Sequence, residues 1–471
     1  MKNFTTFLTE EKQDYRVVVL GERRIVKKLK KANRPTIEKP ISTSSKLYRR
    51  SKDLGLDVYS CRINGAFVTR DDDSIIRIHN EDDDEGFVID NDTIVFIRGN
   101  VTAKDSYLDL ISQLERYGVS CVNSRECIEV CADKYRTYLR LNEVGLLQPD
   151  TVLIPNDEEE SVDRAVDQLD KPFPLVLKTL QGSKGVGVLL VETERSLQST
   201  VSLVYKIDPF ADILLQEYIE SDHDVRVVIV NREIIGAMRR ERITDDFRSN
   251  VSQGAEILKY ELSKLEKDMC LQAAKAVNGQ WVGVDFIPSD NPKTEPPHIL
   301  EVNHSPGTEG ISKVIDQNIV ELVLDNFYDR TNWRTSPKEC GVLETIEAMG
   351  IEMTAKMDTG NNVSACSLHA DEFEINGKIV KWSLNGKSYR HPLKRMVKLV
   401  KPVEERPVIE IDVKFLNMIY KVEVSLDTRN SIPFLANRDL MKRANLMINP
   451  ARKFMLTNIS NDRISITKDE E

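Results

Sequence analysis

The chain has 471 residues, 40% hydrophobic and 30% charged, and 66 Lys+Arg against 76 Asp+Glu leave a net charge of −10. That length gives room for about two to four domains with separate cores, and the acidic balance gives no support to nucleic-acid binding. An apolar run of about 18 residues and a basic-then-apolar leader are both missing, so neither a membrane span nor secretion is expected; seven scattered cysteines suit a reducing cytoplasm better than a disulfide framework.

Residues 1–90 read as an N-terminal α/β region. Tyr15 to Gly21 is a strand, and the basic stretch Arg23 to Lys31 is either a solvated segment or an anion-binding surface. Asp71-Asp72-Asp73 and Asp82-Asp83-Asp84-Glu85 read as charged loop tips, with attraction of a basic peptide as the alternative. Residues 91–150 alternate: a strand at Thr93–Gly99, a helix at Ser106–Tyr117, a strand at Gly118–Asn123 and a helix at Cys127–Leu141. Such alternation favours a parallel sheet flanked by helices. Cys127 and Cys131 stand one helical turn apart but lack partners for a zinc site.

Residues 151–330 carry most of the chemistry. Leu175-Val176-Leu177-Lys178 is a strand ending in a cation, followed by Gly182-Ser183-Lys184-Gly185-Val186-Gly187 and a second strand. Glycines let a backbone approach phosphate oxygens and turn N–H groups toward them; a plain hairpin has the same texture, and the spacing is not that of a Walker A loop. Gln216-Glu217-Tyr218-Ile219 runs from a strand into an elbow, His223 reads as a solvated turn residue, and Asp224-Val225-Arg226, Arg239-Arg240 and Phe247-Arg248-Ser249-Asn250 follow. In Leu300-Glu301-Val302-Asn303, residues two apart share a face, so Glu301 and Asn303 project together while Leu300 and Val302 face a core. A second apolar run, Trp281–Ile287, lays Asp285 beside them. Two carboxylates and an amide oxygen make a hard-oxygen pocket of the kind Mg²⁺ shares with nucleotide phosphates.

Residues 331–340 read as a linker. From 341 to 471 the texture changes to short alternating strands, such as Ile409–Val413 and Tyr420–Val424, with hairpin turns at Asn376-Gly377 and Asn385-Gly386. Asp358-Thr359-Gly360 ends an early strand, and Ile432–Leu440 leads into the one evident helix of this region.

The succession of strand-Lys178, glycine loop, Gln216-Glu217-Tyr218-Ile219, Asp224-Val225-Arg226, Phe247-Arg248-Ser249-Asn250, Val284-Asp285 and Glu301-Val302-Asn303-His304-Ser305-Pro306-Gly307 resembles the ATP-grasp ligases, from about Asp92 to Asp329. Within them it is most similar to the ribosomal-protein glutamate ligase (RimK-like) branch. The resemblance implies an α/β and α+β ATP-grasp fold, with a preATP-grasp domain completed by residues 91–150 and ATP-grasp lobes over 151–330. It also implies a carboxylate–amine ligase, adding glutamate or another acidic amino acid to a peptide or protein C-terminus or to a poly-amino-acid. Its cofactors would be ATP and Mg²⁺, with Mn²⁺ as a substitute. Lys134 and Lys178 would hold phosphates under the Gly182, Ser183, Lys184, Gly185 and Gly187 loop; Glu217, Tyr218 and Ile219 would meet the adenine and Asp224 the ribose. Asp285, Glu301 and Asn303 would hold the metal, Arg239, Arg248 and Asn250 would steady the transferred phosphate and the acyl-phosphate, and Ser249 would help bind the nucleotide. His304 stands where these relatives carry a small serine, which bears on acceptor choice.

The C-terminal region, through Asp358-Thr359-Gly360, Ser364, Leu368-His369-Ala370 and Asn449-Pro450-Ala451-Arg452, resembles the retropepsin-like (RimB-like) proteins long labelled zinc proteases. Asn361 and Asn437 depart from that pattern, at positions where the family has a small residue and a glycine. With one Asp-Thr-Gly and room for one lobe, an aspartic peptidase would need Asp358 from two chains, hence a homodimer or an assembly of dimers. The competing readings are a nucleotide-binding scaffold, or a small-molecule amino-acid ligase with a non-catalytic peptide-binding or dimerisation domain.

Overall fold

A computed structural model describes residues 15–21, 42–71, 75–180, 187–241, 256–292, 294–334, 338–361, 364–400, 403–416 and 418–457. The chain divides into two compact units, Met1–Arg334 and Thr335–Glu471.

The first unit opens with β1 (Arg16–Gly21), α1 (Thr43–Asp53), β2 (Asp57–Arg62), the short strands β3 (Phe67–Arg70), β4 (Ile76–His79) and β5 (Phe87–Ile89), then β6 (Thr93–Arg98), α2 (Asp105–Arg116) and β7 (Ser120–Val122). Strands β2-β1-β6-β7 form a wholly parallel sheet. Its inner strands are continuous apolar runs because both faces are covered: Val17, Val19, Ile94 and Phe96 pack toward Leu47 of α1, while Val18, Leu20, Val95 and Ile97 pack toward Leu108 and Ile111 of α2. Asp82–Glu85 lies in the turn between β4 and β5 of the antiparallel β3-β4-β5 sheet, whereas Asp72 and Asp73 lie outside the described residues. Asp83 is no mere solvated tip, for it accepts from the Tyr59 hydroxyl at 2.5 Å and from the Gly86 amide at 3.1 Å.

The expected helix from Cys127 to Leu141 is two helices, α3 (Arg125–Ala132) and α4 (Lys134–Glu143). Asp133 breaks it: its backbone is extended, and its carboxylate accepts from the amides of Tyr135 and Arg136, capping the second helix. Next come β8 (Thr151–Ile154), α5 (Glu159–Leu169), β9 (Leu175–Thr179), β10 (Val188–Val191), α6 (Glu194–Ile207) and β11 (Ile213–Glu217). They build an antiparallel sheet ordered β10-β9-β11-β8. Leu175, Leu177, Ile213 and Leu215 bury one face against Val162 of α5 and Leu197 of α6, which leaves Val176, Lys178, Leu214 and Gln216 on the other.

The site is built on a five-stranded antiparallel sheet, β14-β13-β12-β15-β16, from β12 (His223–Val230), β13 (Glu233–Glu241), β14 (Ile257–Lys259), α7 (Lys264–Ala276), β15 (Trp281–Ile287) and β16 (His298–Asn303). Val225, Val227, Val284, Phe286 and Val302 cover one face with Leu141, Met269 and Cys270. The other face is apolar at Val228, Met238 and Trp281, where α8 (Glu309–Ile315) and α9 (Ile319–Tyr328) pack, and polar at its far end. Asn123 joins this sheet to the parallel one. It is buried, donates to the carbonyls of Trp281 and His304, both at 2.7 Å, and accepts from the amides of Gln280 and Trp281.

The second unit consists of β17 (Lys338–Gly341), β18 (Leu343–Ala348), β19 (Ile351–Met357), β20 (Cys366–His369), β21 (Glu372–Asn376), β22 (Ile379–Leu384), β23 (Lys387–Pro392), β24 (Arg395–Val400), β25 (Val403–Phe415), β26 (Met418–Asp427), β27 (Phe434–Ala436), α10 (Arg438–Arg443) and β28 (Leu446–Asn449). The main sheet runs β18-β19-β27-β20-β26-β25-β24, and pairing of β18 with β25 closes it into a ring. Both predicted hairpin turns are present; Asn385 and Gly386 hold positive φ angles of 50° and 72°, the pair a tight two-residue turn requires. Glu344, fully buried, accepts from the amides of Gly341, Met455, Leu456 and Thr457 and from the Thr457 hydroxyl.

Candidate active site

Strand register assembles the site. Arg226 on β12 lies opposite Asp285 on β15, which lies opposite Glu301 on β16, and Asn303 lies opposite Gly283. The four polar side chains therefore share a face. Arg226 grips Asp285 with two donors, Nε at 2.6 Å and Nη2 at 2.5 Å, and its Nη2 stands 3.8 Å from Glu301. Asn303 donates to Glu301 at 2.9 Å. Arg240 on β13 bonds Asp224 at 2.5 Å and Asp285 at 3.0 Å. Burial would push the Asp285 carboxyl up, but the two guanidinium groups outweigh it and hold the group down at about 2. Gly283 is required here: an added Cβ would come within 2.9 Å of Pro306 and 3.9 Å of the Arg226 Cδ.

Two lysines complete the charge pattern. Lys178, on the open face of the β9 sheet, is pushed down to about 8 by burial and by Lys134, with Glu301 opposing the shift. Lys134, the first residue of α4, is lowered by burial and raised by Glu301; its ammonium donates to the carbonyls of Thr179 and Leu180, both at 3.3 Å. These lysines and the Glu301 carboxylate thus lie within one electrostatic neighbourhood. Gly187, at φ 83°, closes the base of the glycine loop, where the Thr179 amide donates to its carbonyl at 2.9 Å.

Glu217 ends β11, accepts from the Asp150 amide and pairs with Lys171 at 3.1 Å; Tyr218 and Ile219 follow in the elbow, half-buried. Asp224 is buried on Arg240. Gly182, Ser183, Lys184, Gly185, Arg248, Ser249 and Asn250 lie outside the described residues.

Three sequence expectations need correction, and one site residue was missed. Arg239 points away from the carboxylates, pairing with Glu241 at 2.5 Å and Asp222 at 3.4 Å, because adjacent strand residues alternate; the arginine on the site face is its neighbour Arg240. Leu300 does not share the buried face with Val302: a bulge places Asp285 opposite Glu301 but Phe286 opposite Ile299, so Ile299 enters the core and Leu300 is the extra residue. His223 is no solvated turn residue; it begins β12 and its ring bonds Asp222. Arg226 was quoted only as part of a motif, although its place two residues after Asp224 put it on the same strand face.

A RimK-like ATP-grasp domain model matches residues 131–327. A probable alpha-L-glutamate ligase of Coxiella burnetii (strain Dugway 5J108-111) is 30% identical over 220 residues, covering 46% of this chain and 69% of the relative. One of Vibrio atlanticus (strain LGP32) is 32% identical over 221 residues with the same coverage. Among solved structures, ATP-grasp ligase PsnB complexed with minimal precursor aligns at a TM-score of 0.48 and 18% identity, over 68% of this chain and 100% of that one. The chain belongs to the RimK-like family of ATP-grasp ligases.

Proposed function

We propose that this protein is an ATP- and Mg²⁺-dependent carboxylate–amine ligase that adds glutamate or another acidic amino acid to the C-terminus of a peptide or protein, or to a growing poly-amino-acid. The carrying observation is the cross-strand row Arg226–Asp285–Glu301 with Asn303, in the electrostatic reach of Lys134 and Lys178. Among the described residues no group of three or more His, Cys, Asp or Glu forms a metal cage. Two carboxylates and one amide oxygen instead fit an ion that completes its shell with phosphates and water. When bound there, Mg²⁺ would supply charge neutralisation at the β- and γ-phosphate oxygens.

The chain's own residues divide the remaining work. A carboxylate resists attack by an amine because its oxygen leaves badly, and phosphorylation by ATP turns that oxygen into a leaving group. Negative charge gathers at each step, so fixed cations in a site shielded from water are needed. Lys134 and Lys178 would sit on the nucleotide phosphates, and Gly182–Gly187 would cover them. Arg226 and Arg240, already held near the metal carboxylates, would meet the transferred phosphate; Arg248, Ser249 and Asn250 carry the family motif for the same task. Glu217, at the end of β11, and Tyr218 and Ile219 in the elbow after it would border the adenine. Asp224 would act through Arg240, orienting its guanidinium. The reading is tested by ATP, Mg²⁺, each amino acid and an acidic peptide acceptor: ADP release with a mass ladder is expected, and ATP binding without either rejects it.

For residues 341–471 the proposed role is to hold the peptide product, with cleavage if two Asp358 carboxylates meet across a homodimer. Support comes from the turn after β19, where Asp358 accepts from the Gly360 amide at 3.0 Å and its carbonyl accepts from Asn361. Asp427, the other Asp-Thr in this unit, is buried and paired with Arg406 at 2.6 Å, so it is unavailable as a second catalytic carboxylate within one chain.

A further inference from the structure

Three arginines among the described residues are nine-tenths or more buried: Arg98, Arg240 and Arg406. Arg240 has Asp224 and Asp285, and Arg406 has Asp427 and Glu404. Among the described residues Arg98 has no such counter-charge. Its Nη2 donates to the Pro306 carbonyl at 2.5 Å, its guanidinium lies 4.1 Å above the Trp281 ring, and its buried Nε has no hydrogen-bond partner. Burial alone acts on it, pushing it down to about 9, so it is still a cation at neutral pH. A buried guanidinium without an anion is costly to the fold, which points to an anion supplied from outside.

Its position says which anion. Arg98 ends β6, and in the order β2-β1-β6-β7 the chain leaves β1 toward one edge and β6 toward the other. The gap between the carboxyl ends of such strands is where ligands enter parallel sheets. The same spot is tied to the reaction site: the Gly99 amide donates to Ser305 Oγ at 3.2 Å, and Pro306 lies over Gly283, beside Arg226. His304, on that loop, also buries an Nδ1 without a partner. Phosphate groups already have Lys134, Lys178 and the metal row, whereas the amino acid that supplies the amine carries a carboxylate that is not consumed.

We propose that Arg98, with His304 Nδ1 beside it, is the recognition site for the free carboxylate of the incoming amino acid. A guanidinium fork matches a carboxylate in shape as well as charge. This rests on the ligase reading above, and the experiment separates the two. With ATP, Mg²⁺, a tri-glutamate acceptor and each of the twenty amino acids, wild type identifies the amino acid by ADP release. Arg98→Met is then expected to raise the KM for that amino acid at least tenfold with the KM for ATP changed less than twofold, and Arg98→Lys to recover part of the loss. Converting the amino acid's carboxylate to an amide should raise KM in wild type and change it little in Arg98→Met. Without ligands, Arg98→Met should melt no lower than wild type, since an uncompensated charge has been removed. An unchanged amino-acid KM in a working enzyme overturns the Arg98 site and leaves the ligase standing. Melting several degrees lower without ligands makes Arg98 structural and also overturns it. A wild type that releases no ADP with any amino acid removes the ligase reading and this inference together.

Discussion

Asp285 is claimed by two arginines, and that competition sets what each residue of the row can do. Removing a carboxylate from it leaves Arg226, or the cation proposed to bind there, without its counter-charge. Glu301→Ala is expected to lower kcat by roughly 10²–10³, the loss typical of one missing electrostatic contact to a transition state. Its melting temperature should barely move, because the Glu301 side chain is 42% exposed; a near-normal rate would place the metal elsewhere. Arg240→Met should cost comparable activity and Arg239→Met little, a contrast that steady-state kinetics on the two variants reads directly. Lys178 is held down at about 8, so it is cationic below that pH and neutral above. ATP affinity should therefore weaken from pH 7 to 9.5 in wild type and stay flatter in Lys178→Arg. The stability of the unliganded protein should run the other way: between about 8 and the unfolded lysine value near 10.4, the unfolded chain binds more protons, so Lys178 contributes more stability as pH rises. Much of the row was legible from two-residue spacing alone. The choice between Arg239 and Arg240 was not, since neighbouring arginines give the same sequence signal and only register assigns a face.

Elements show where local signals compete. The apolar spacing from Cys127 to Leu141 reads as one helix, yet Asp133 satisfies two free amides and starts a new one, and that restart sets Lys134 at the first turn of α4. The bulge in β16 was equally hidden, because an extra residue leaves no trace in an apolar run; it swaps Ile299 for Leu300 in the core. Parallel strands such as β1 and β6 were legible as uninterrupted apolar runs, and the hairpins of the second unit through Asn-Gly. Glu344 had no sequence signature, since its amide partners at 341 and 455–457 are brought together only by folding. Glu344→Ala would strand those buried donors, each worth about 1–3 kcal/mol when unsatisfied. Expected is a loss of roughly 2–4 kcal/mol in the second unit's stability by chemical denaturation, with ATP binding by the first unit unchanged. A loss below about 0.5 kcal/mol would mean that water replaces the carboxylate.

At the scale of the whole chain there are two compact units, and the family match at residues 131–327 belongs to the first. The second needs a partner chain if Asp358 is to work as an aspartic peptidase, because like carboxylates must share a proton. Feeding the ligase product to wild type and to Asp358→Ala is expected to show shortening in wild type alone; identical products would leave this unit a holding role. A strictly monomeric protein at micromolar concentration would exclude the shared-aspartate mechanism. The ligase itself is tested most directly by mass spectrometry of an acidic peptide incubated with the protein, ATP, Mg²⁺ and each amino acid in turn. A ladder spaced by one residue mass, with one ADP released per addition and none from Glu301→Ala, is the result expected. Bound ATP with no ladder and no ADP for any amino acid would contradict it.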